Sequence, residues 1–143
     1  MTGTQQEISY IVREPREKNV ELATKLFSMK QAHCSRRFHR QIPGYRMSPL
    51  QGLPNLATMF GVGGIWTKDE SSRLQLNSFK VLGGSFALYR YLQKQLGILG
   101  EDTPFAYLAS EEVKEKVGDL TFASATDGNH GRGIAWAAKR LGF

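Results

Sequence analysis

Asn77-Ser78-Phe79-Lys80-Val81-Leu82-Gly83-Gly84 sets a lysine between an aromatic residue and an apolar pair, where a polar loop gives way to a helical pattern. Desolvation and the positive end of a helix dipole both disfavour an ammonium at such a place, so Lys80 is expected to be buried enough to serve as a nucleophilic amine. The alternative is a lysine whose stem packs while its head reaches water. A second stretch, Thr126-Asp127-Gly128-Asn129-His130-Gly131, also carries chemistry. A glycine-bracketed turn at the start of a helix presents free backbone N–H groups to an anion such as a carboxylate or phosphate. This one adds an amide and a carboxylate. Its plain alternative is a strand-to-helix turn rich in turn-forming residues.

The elements that must position these stretches follow from periodicity. Residues 18–33 read as a first helix, with Val20, Ala23, Phe27 and Lys30 on one side and Asn19 as its cap. Pro43, Pro49 and Pro54 then exclude a continuous helix over 41–55, which reads as extended chain and turns. A short helix over Leu56–Phe60 stops at Gly61, and Ile65–Glu70 reads as a strand leading to the polar loop before Lys80. Val81–Leu96 is a helix, with Leu82, Phe86, Tyr89 and Leu92 or Leu96 at helical spacing and Gly97 to stop it. Ser110 caps a helix through Val117 that Gly118 ends, Leu120–Ala125 is a second strand, and Gly133–Leu141 is a helix with an Ala-rich face. The order of strand, helix, helix, strand, helix indicates an α/β class with an open parallel sheet and flanking helices. Ligands in such sheets bind beyond the carboxyl ends of the strands, so both stretches are expected to face one crevice.

Composition narrows the partners. With 143 residues, 41% hydrophobic and 22% charged, the chain is that of a soluble globular protein. No apolar run reaches the length of a membrane span and the N-terminus has no signal-like core, so no membrane association and a cytoplasmic location are expected. The one cysteine, Cys34, cannot close an internal disulfide. The net charge of +6 is concentrated in the N-terminal third, most densely over His33–Arg40. No nucleic-acid-binding motif surrounds that run, so a solvated basic face or a subunit contact is expected instead of nucleic acid. His33, Cys34 and His39 lack the spacing of a metal site, and none is expected. There is no Walker-type run, and Gly61, Gly63 and Gly64 precede a strand where a dinucleotide fingerprint would follow one.

Ser78-Phe79-Lys80 with Gly83-Gly84, followed by Thr126-Asp127-Gly128-Asn129-His130-Gly131, resembles the fold type II pyridoxal-phosphate enzymes, whose members include threonine dehydratase and tryptophan synthase β. The resemblance runs from about Phe38 to the C-terminus. Leu82-Gly83-Gly84, Asp127, Trp66–Glu70 and Gly131–Ala138 are similar to the diaminopropionate ammonia-lyase branch of that family. It implies a homodimeric, cytoplasmic lyase of amino-acid catabolism that uses pyridoxal 5′-phosphate. The reaction implied is α,β-elimination on 2,3-diaminopropionate, giving pyruvate and ammonia.

Roles follow from the same resemblance. Lys80 would hold the cofactor and, once displaced, remove the α-proton. Asn129 would hydrogen-bond the ring oxygen, with Gly128 and His130 also at the cofactor, and Thr126 with the loop N–H groups would take the substrate carboxylate. Asp127 would be a second base on the opposite face of the α-carbon, serving the other enantiomer.

The expected division is a basic helical segment over 1–37 and, over 38–143, the N-terminal portion of the lyase domain. The family's glycine-rich phosphate loop and its partner to the pyridine nitrogen are absent, so the fold is expected to be partial and the isolated chain inactive. Two alternatives stay open: a threonine or serine dehydratase-like enzyme, and a catalytically dead fragment acting as an assembly module.

Overall fold

Val81, Ser85, Leu88 and Leu92 recur every three or four residues and are all buried, which makes helix α4 (Lys80–Gln95) the axis of the fold. The computed structural model describes residues 20–100, 102–126 and 128–143. In chain order the elements are α1 (Val20–Leu26), α2 (Met29–Gln41), β1 (Leu50–Gly52), α3 (Pro54–Phe60) and β2 (Trp66–Lys68). A 3-10 turn at Arg73–Gln75 precedes α4, and α5 (Phe105–Leu108), α6 (Glu111–Val117) and α7 (Asn129–Leu141) follow it. The chain divides into two compact units, the first ending at Ala32 and the second running from His33 to Phe143.

The core of the second unit joins Phe38 and Ile42 to Val81, Leu88, Tyr89 and Leu92, and adds Phe105, Leu108, Ala137 and Leu141. The Phe38 ring centroid lies 4.3 Å from that of Tyr89 and 6.0 Å from that of Phe105. Such aromatic contacts add to the apolar burial that orders the unit. Beneath them Gln93, fully buried, donates to the Tyr89 hydroxyl at 3.0 Å and to Thr103 Oγ1 at 2.9 Å. A buried amide with partners costs far less than one without.

Several elements stand where the sequence puts them. Gly61 ends α3 in the left-handed conformation, and Gly97, at φ 72°, follows α4. Ser110 Oγ accepts from Val113 N–H at 3.4 Å to start α6. The helix α3 starts earlier than expected because Pro54 suits a first turn, where its missing N–H costs nothing.

Other expectations are corrected. The helix expected over 18–33 is two helices in the described residues, broken at Phe27–Ser28. Ser28 Oγ accepts from Gln31 N–H at 3.4 Å, so it caps a new helix that carries the basic run on to Gln41. The Asn19 cap lies outside the described residues. The parallel sheet is not formed among the described residues. The two strands pair with each other, antiparallel, through Leu50 with Lys68 and Gly52 with Trp66. Residues 120–125 stay outside any ladder, since a strand exists only through a partner's N–H and C=O groups. Phe122 holds that segment instead, edge-on to Tyr91 and to Phe143 at 5.7 Å each. No helix among the described residues is long and apolar enough to cross a membrane.

Candidate active site

Lys80 is the first residue of α4, at the positive end of its dipole. Its backbone N–H lies 3.3 Å from the hydroxyl oxygen of Ser78, which is itself buried, so the motif serine satisfies one of the helix's free donors. The expected burial of the amine is not found. Lys80 is exposed, and Nζ stands 5.7 Å from the centroid of the exposed Phe79 ring. The inward position in this turn belongs to Val81, which is 0% exposed, and the residue before it on a helix points elsewhere.

The loop leading into Lys80 is backbone-strained. Leu74, Gln75 and Asn77 have φ of 47°, 63° and 56°, a region that side-chain-bearing residues rarely occupy, asparagine excepted. Just before it a polar cluster is buried. Arg73 Nε bonds Glu70 Oε2 at 2.6 Å, Nη1 bonds the Arg46 carbonyl at 2.6 Å, and Nη2 bonds Ser48 Oγ at 2.8 Å and Glu70 Oε1 at 2.9 Å. The Ser48 hydroxyl donates to Glu70 Oε1 at 2.5 Å, and Lys68 Nζ donates to the Ser48 carbonyl. The Arg73 hydrogen bonds, partly opposed by desolvation and aided by Ser48, hold the Glu70 carboxyl down to about 2. Sequence reasoning passed over this cluster, treating 71–77 as a plain polar loop. The only local signal is an acid three residues before a base.

In the second stretch Thr126 Oγ1 accepts from the N–H groups of Gly128 at 3.2 Å and Gly131 at 3.0 Å. Two of the donors expected to meet an anion are thus already held by a side chain, and the Thr126 hydroxyl keeps its own proton free to donate outward. Gly128 turns the chain at φ 144°, and Asn129 and His130 open α7 as exposed residues. The helix therefore starts four residues before the expected Gly133. Asp127, the expected second base, lies outside the described residues.

The two stretches come together through glycine. A Cβ built on Gly133 would stand 2.9 Å from Val81 Cα, 3.1 Å from Val81 N and 3.4 Å from the Lys80 carbonyl carbon. One on Gly84 would stand 2.9 Å from Ile134 Cδ1. Backbone thus meets backbone where α7 begins and α4 begins, placing the loop's N–H groups and hydroxyl beside the element that carries the exposed amine. An amine, an outward-facing hydroxyl and an amide at adjoining helix N-termini can bind a carbonyl-bearing anion.

Comparison with known proteins identifies the family. A family model described as pyridoxal-phosphate dependent enzyme matches residues 42–143. The chain is 49% identical over 106 residues to a diaminopropionate ammonia-lyase of Salmonella typhimurium, covering 74% of this chain and 26% of that protein. With the Escherichia coli diaminopropionate ammonia-lyase the identity is 48% over 118 residues, or 82% of this chain and 28% of that one. The crystal structure of the Escherichia coli enzyme in complex with D-serine superposes with a TM-score of 0.72 at 48% identity, covering 82% of this chain and 29% of that chain. The chain spans less than a third of the length of these relatives. The matched residues, the identities and the superposition agree: the chain belongs to the pyridoxal-phosphate dependent enzyme family.

Proposed function

We propose that this chain carries the amine and the substrate-carboxylate loop of a diaminopropionate ammonia-lyase, a carbon–nitrogen lyase that converts 2,3-diaminopropionate to pyruvate and ammonia. The observation that supports the reading is the glycine contact between Gly133 and the Lys80–Val81 backbone, which packs the helix opened by the Thr126–Gly131 loop against the start of the helix that carries Lys80. The name shared by relatives at 48–49% identity supports the choice of substrate.

The residues present fit pyridoxal phosphate: an exposed primary amine for its aldehyde, with a hydroxyl and an amide at the start of the helix packed against the one that carries it. The cofactor supplies an electron sink for the charge left when the α-proton departs. Lys80 Nζ would hold the cofactor and would be the base that takes the α-proton from one face. Thr126 donates its free hydroxyl proton to the substrate carboxylate while Gly128 and Gly131 N–H groups fix its oxygen. Asn129 would hold the ring oxygen, with Gly128 and His130 also at the cofactor. Asp127 takes the α-proton of the opposite enantiomer, because one base on one face cannot reach both in a fixed pose. On this reading the protein is a cytoplasmic homodimer of amino-acid catabolism, with residues 1–37 a basic helical segment and 38–143 part of the lyase domain.

Turnover of both enantiomers by the intact protein tests the proposal. Lys80→Ala abolishes both activities, and Asp127→Asn chiefly impairs the D-form. Turnover of threonine without diaminopropionate would reassign the substrate, and equal loss of both enantiomers in Asp127→Asn would remove the two-base scheme.

A further inference from the structure

We propose that Arg73 is a positioning residue for Lys80: its guanidinium, fixed by Glu70, Ser48 and the Arg46 carbonyl, holds Leu74, Gln75 and Asn77 in their left-handed conformations and so sets where the amine stands. The inference rests on the assignment of Lys80 as the cofactor amine.

Three residues among 74–77 sit at positive φ, and none is glycine. Such a path persists only where its surroundings over-determine it. Both ends are fixed here. At the far end Ser78 is buried and bonds the Lys80 N–H, and Val81 is sealed in the core. At the near end the Leu74 side chain is buried and Arg73, 6% exposed, is held by the four bonds described above. The Arg73 guanidinium also lies 5.0 Å from the Tyr45 ring centroid. The cluster ties the 46–48 segment and the end of β2 to the first residue of the strained loop. Its contacts are directional: a planar fork addresses two carboxylate oxygens, a hydroxyl and a carbonyl at once, which a lysine ammonium cannot do. A cluster that served only to fill the interior would need no such fork. One seven residues before the functional amine, at the start of a strained loop, fixes the direction from which that amine leaves the backbone.

Borohydride reduction of the intact protein with graded pyridoxal phosphate, followed by peptide mapping, reads how readily Lys80 is reached. The unsubstituted protein is labelled at Lys80. In Arg73→Lys the cofactor concentration giving half-maximal labelling of Lys80 rises about tenfold, the scale on which small misplacements act. Leu108→Ala, a core truncation in α5 that touches none of the Arg73 bonds, serves as the stability control and shifts that concentration by less than about twofold despite lowering Tm. Should Arg73→Lys not fold, Ser48→Ala, which removes one partner of the fork, gives a shift of about threefold in the same direction. Labelling like that of the parent in the folded variant, or equal shifts in the loop variant and Leu108→Ala at equal loss of Tm, overturns the positioning role. Failure of the unsubstituted protein to label at Lys80 overturns the cofactor assignment itself, a result distinct from either.

Discussion

Gly133 meets Val81 backbone to backbone, with room for a hydrogen but not a methyl: the Cβ of an alanine would lie 2.9 Å from Val81 Cα. Two terms oppose each other in Gly133→Ala. Alanine gains about 1 kcal/mol of helix propensity over glycine. Overpacking against backbone that cannot rotate aside costs about 1–3 kcal/mol. The steric term wins, so Gly133→Ala lowers Tm. Gly83, also in α4, has nothing within 4 Å of its would-be Cβ, so Gly83→Ala shows the propensity gain alone and raises Tm. Thermal unfolding of the pair checks the crossing, and a rise in Tm for both would contradict it.

The Thr126 hydroxyl is the next test, because it has two jobs. It caps the N–H groups of Gly128 and Gly131 and keeps a proton for the substrate carboxylate. Thr126→Val preserves shape but loses both, leaving two donors without their acceptor at a cost of about 1 kcal/mol. The same variant raises KM about tenfold or more, the loss of one hydrogen bond to a charged group. Thr126→Ser keeps the oxygen and stays near the parent in both measures. Gly131→Ala reaches the same hydroxyl by another route, since its Cβ would stand 2.1 Å from Thr126 Cγ2 and force the threonine to turn. If Thr126→Val changes stability while KM is unmoved, the hydroxyl is a cap only.

What the sequence disclosed, and what it withheld, divides along the range of the forces involved. Local signals were legible: the α4 helix, though its buried face runs through Val81, Ser85 and Leu88 and leaves Leu82 and Phe86 half-buried, the Ser110 cap, the stops at Gly61 and Gly97, and the lysine at a helix start. Each depends on residues within one turn of one another. The strand over 120–125 was not, because strand identity depends on a partner that no local pattern names. The exposure of Lys80 was misjudged for a related reason. Its neighbours are apolar in sequence, but Phe79 is exposed and Val81 turns inward, so neither covers the amine. The Arg73 cluster joins residues 46, 48, 70 and 73, separated by up to 27 positions, and no periodicity marks it. The family was legible because its two motifs are short and contiguous, and the 42–143 match agrees with them.

Acid should dissolve the cluster that anchors the loop. The Glu70 carboxyl is held at about 2 against an ordinary 4.5, so its contribution is complete above pH 4.5 and is lost as pH falls toward 2. The stabilisation is about 1–3 kcal/mol, for a carboxylate that is largely shielded from water. Glu70→Gln therefore lowers stability at neutral pH and flattens the decline below pH 4.5. Urea unfolding between pH 2 and 7 separates the two proteins, and parallel curves would mean that Arg73 draws its stability from Ser48 and the Arg46 carbonyl instead.

His39 gives a separate window at higher pH. Its Nε2 donates to the Leu82 carbonyl at 2.8 Å, two residues beyond Lys80, while its ring lies 6.4 Å from the Tyr45 centroid in a stacked arrangement. Burial lowers its pKa below 6.5, the bond to Leu82 acts in the opposite sense, and the nearby Arg73 charge adds to the lowering. The unfolded chain thus binds the proton more readily than the folded one, so stability is complete above pH 6.5 and falls as pH drops through the lowered value. His39→Gln can still donate to the carbonyl but cannot charge, so its stability stays flat across the step where the parent declines. Because the two windows open at different pH, Glu70→Gln retains the His39 step and His39→Gln retains the Glu70 one. A single merged transition, abolished by either substitution, would mean that the two groups titrate together through Arg73, which bonds Glu70 and whose charge acts on His39.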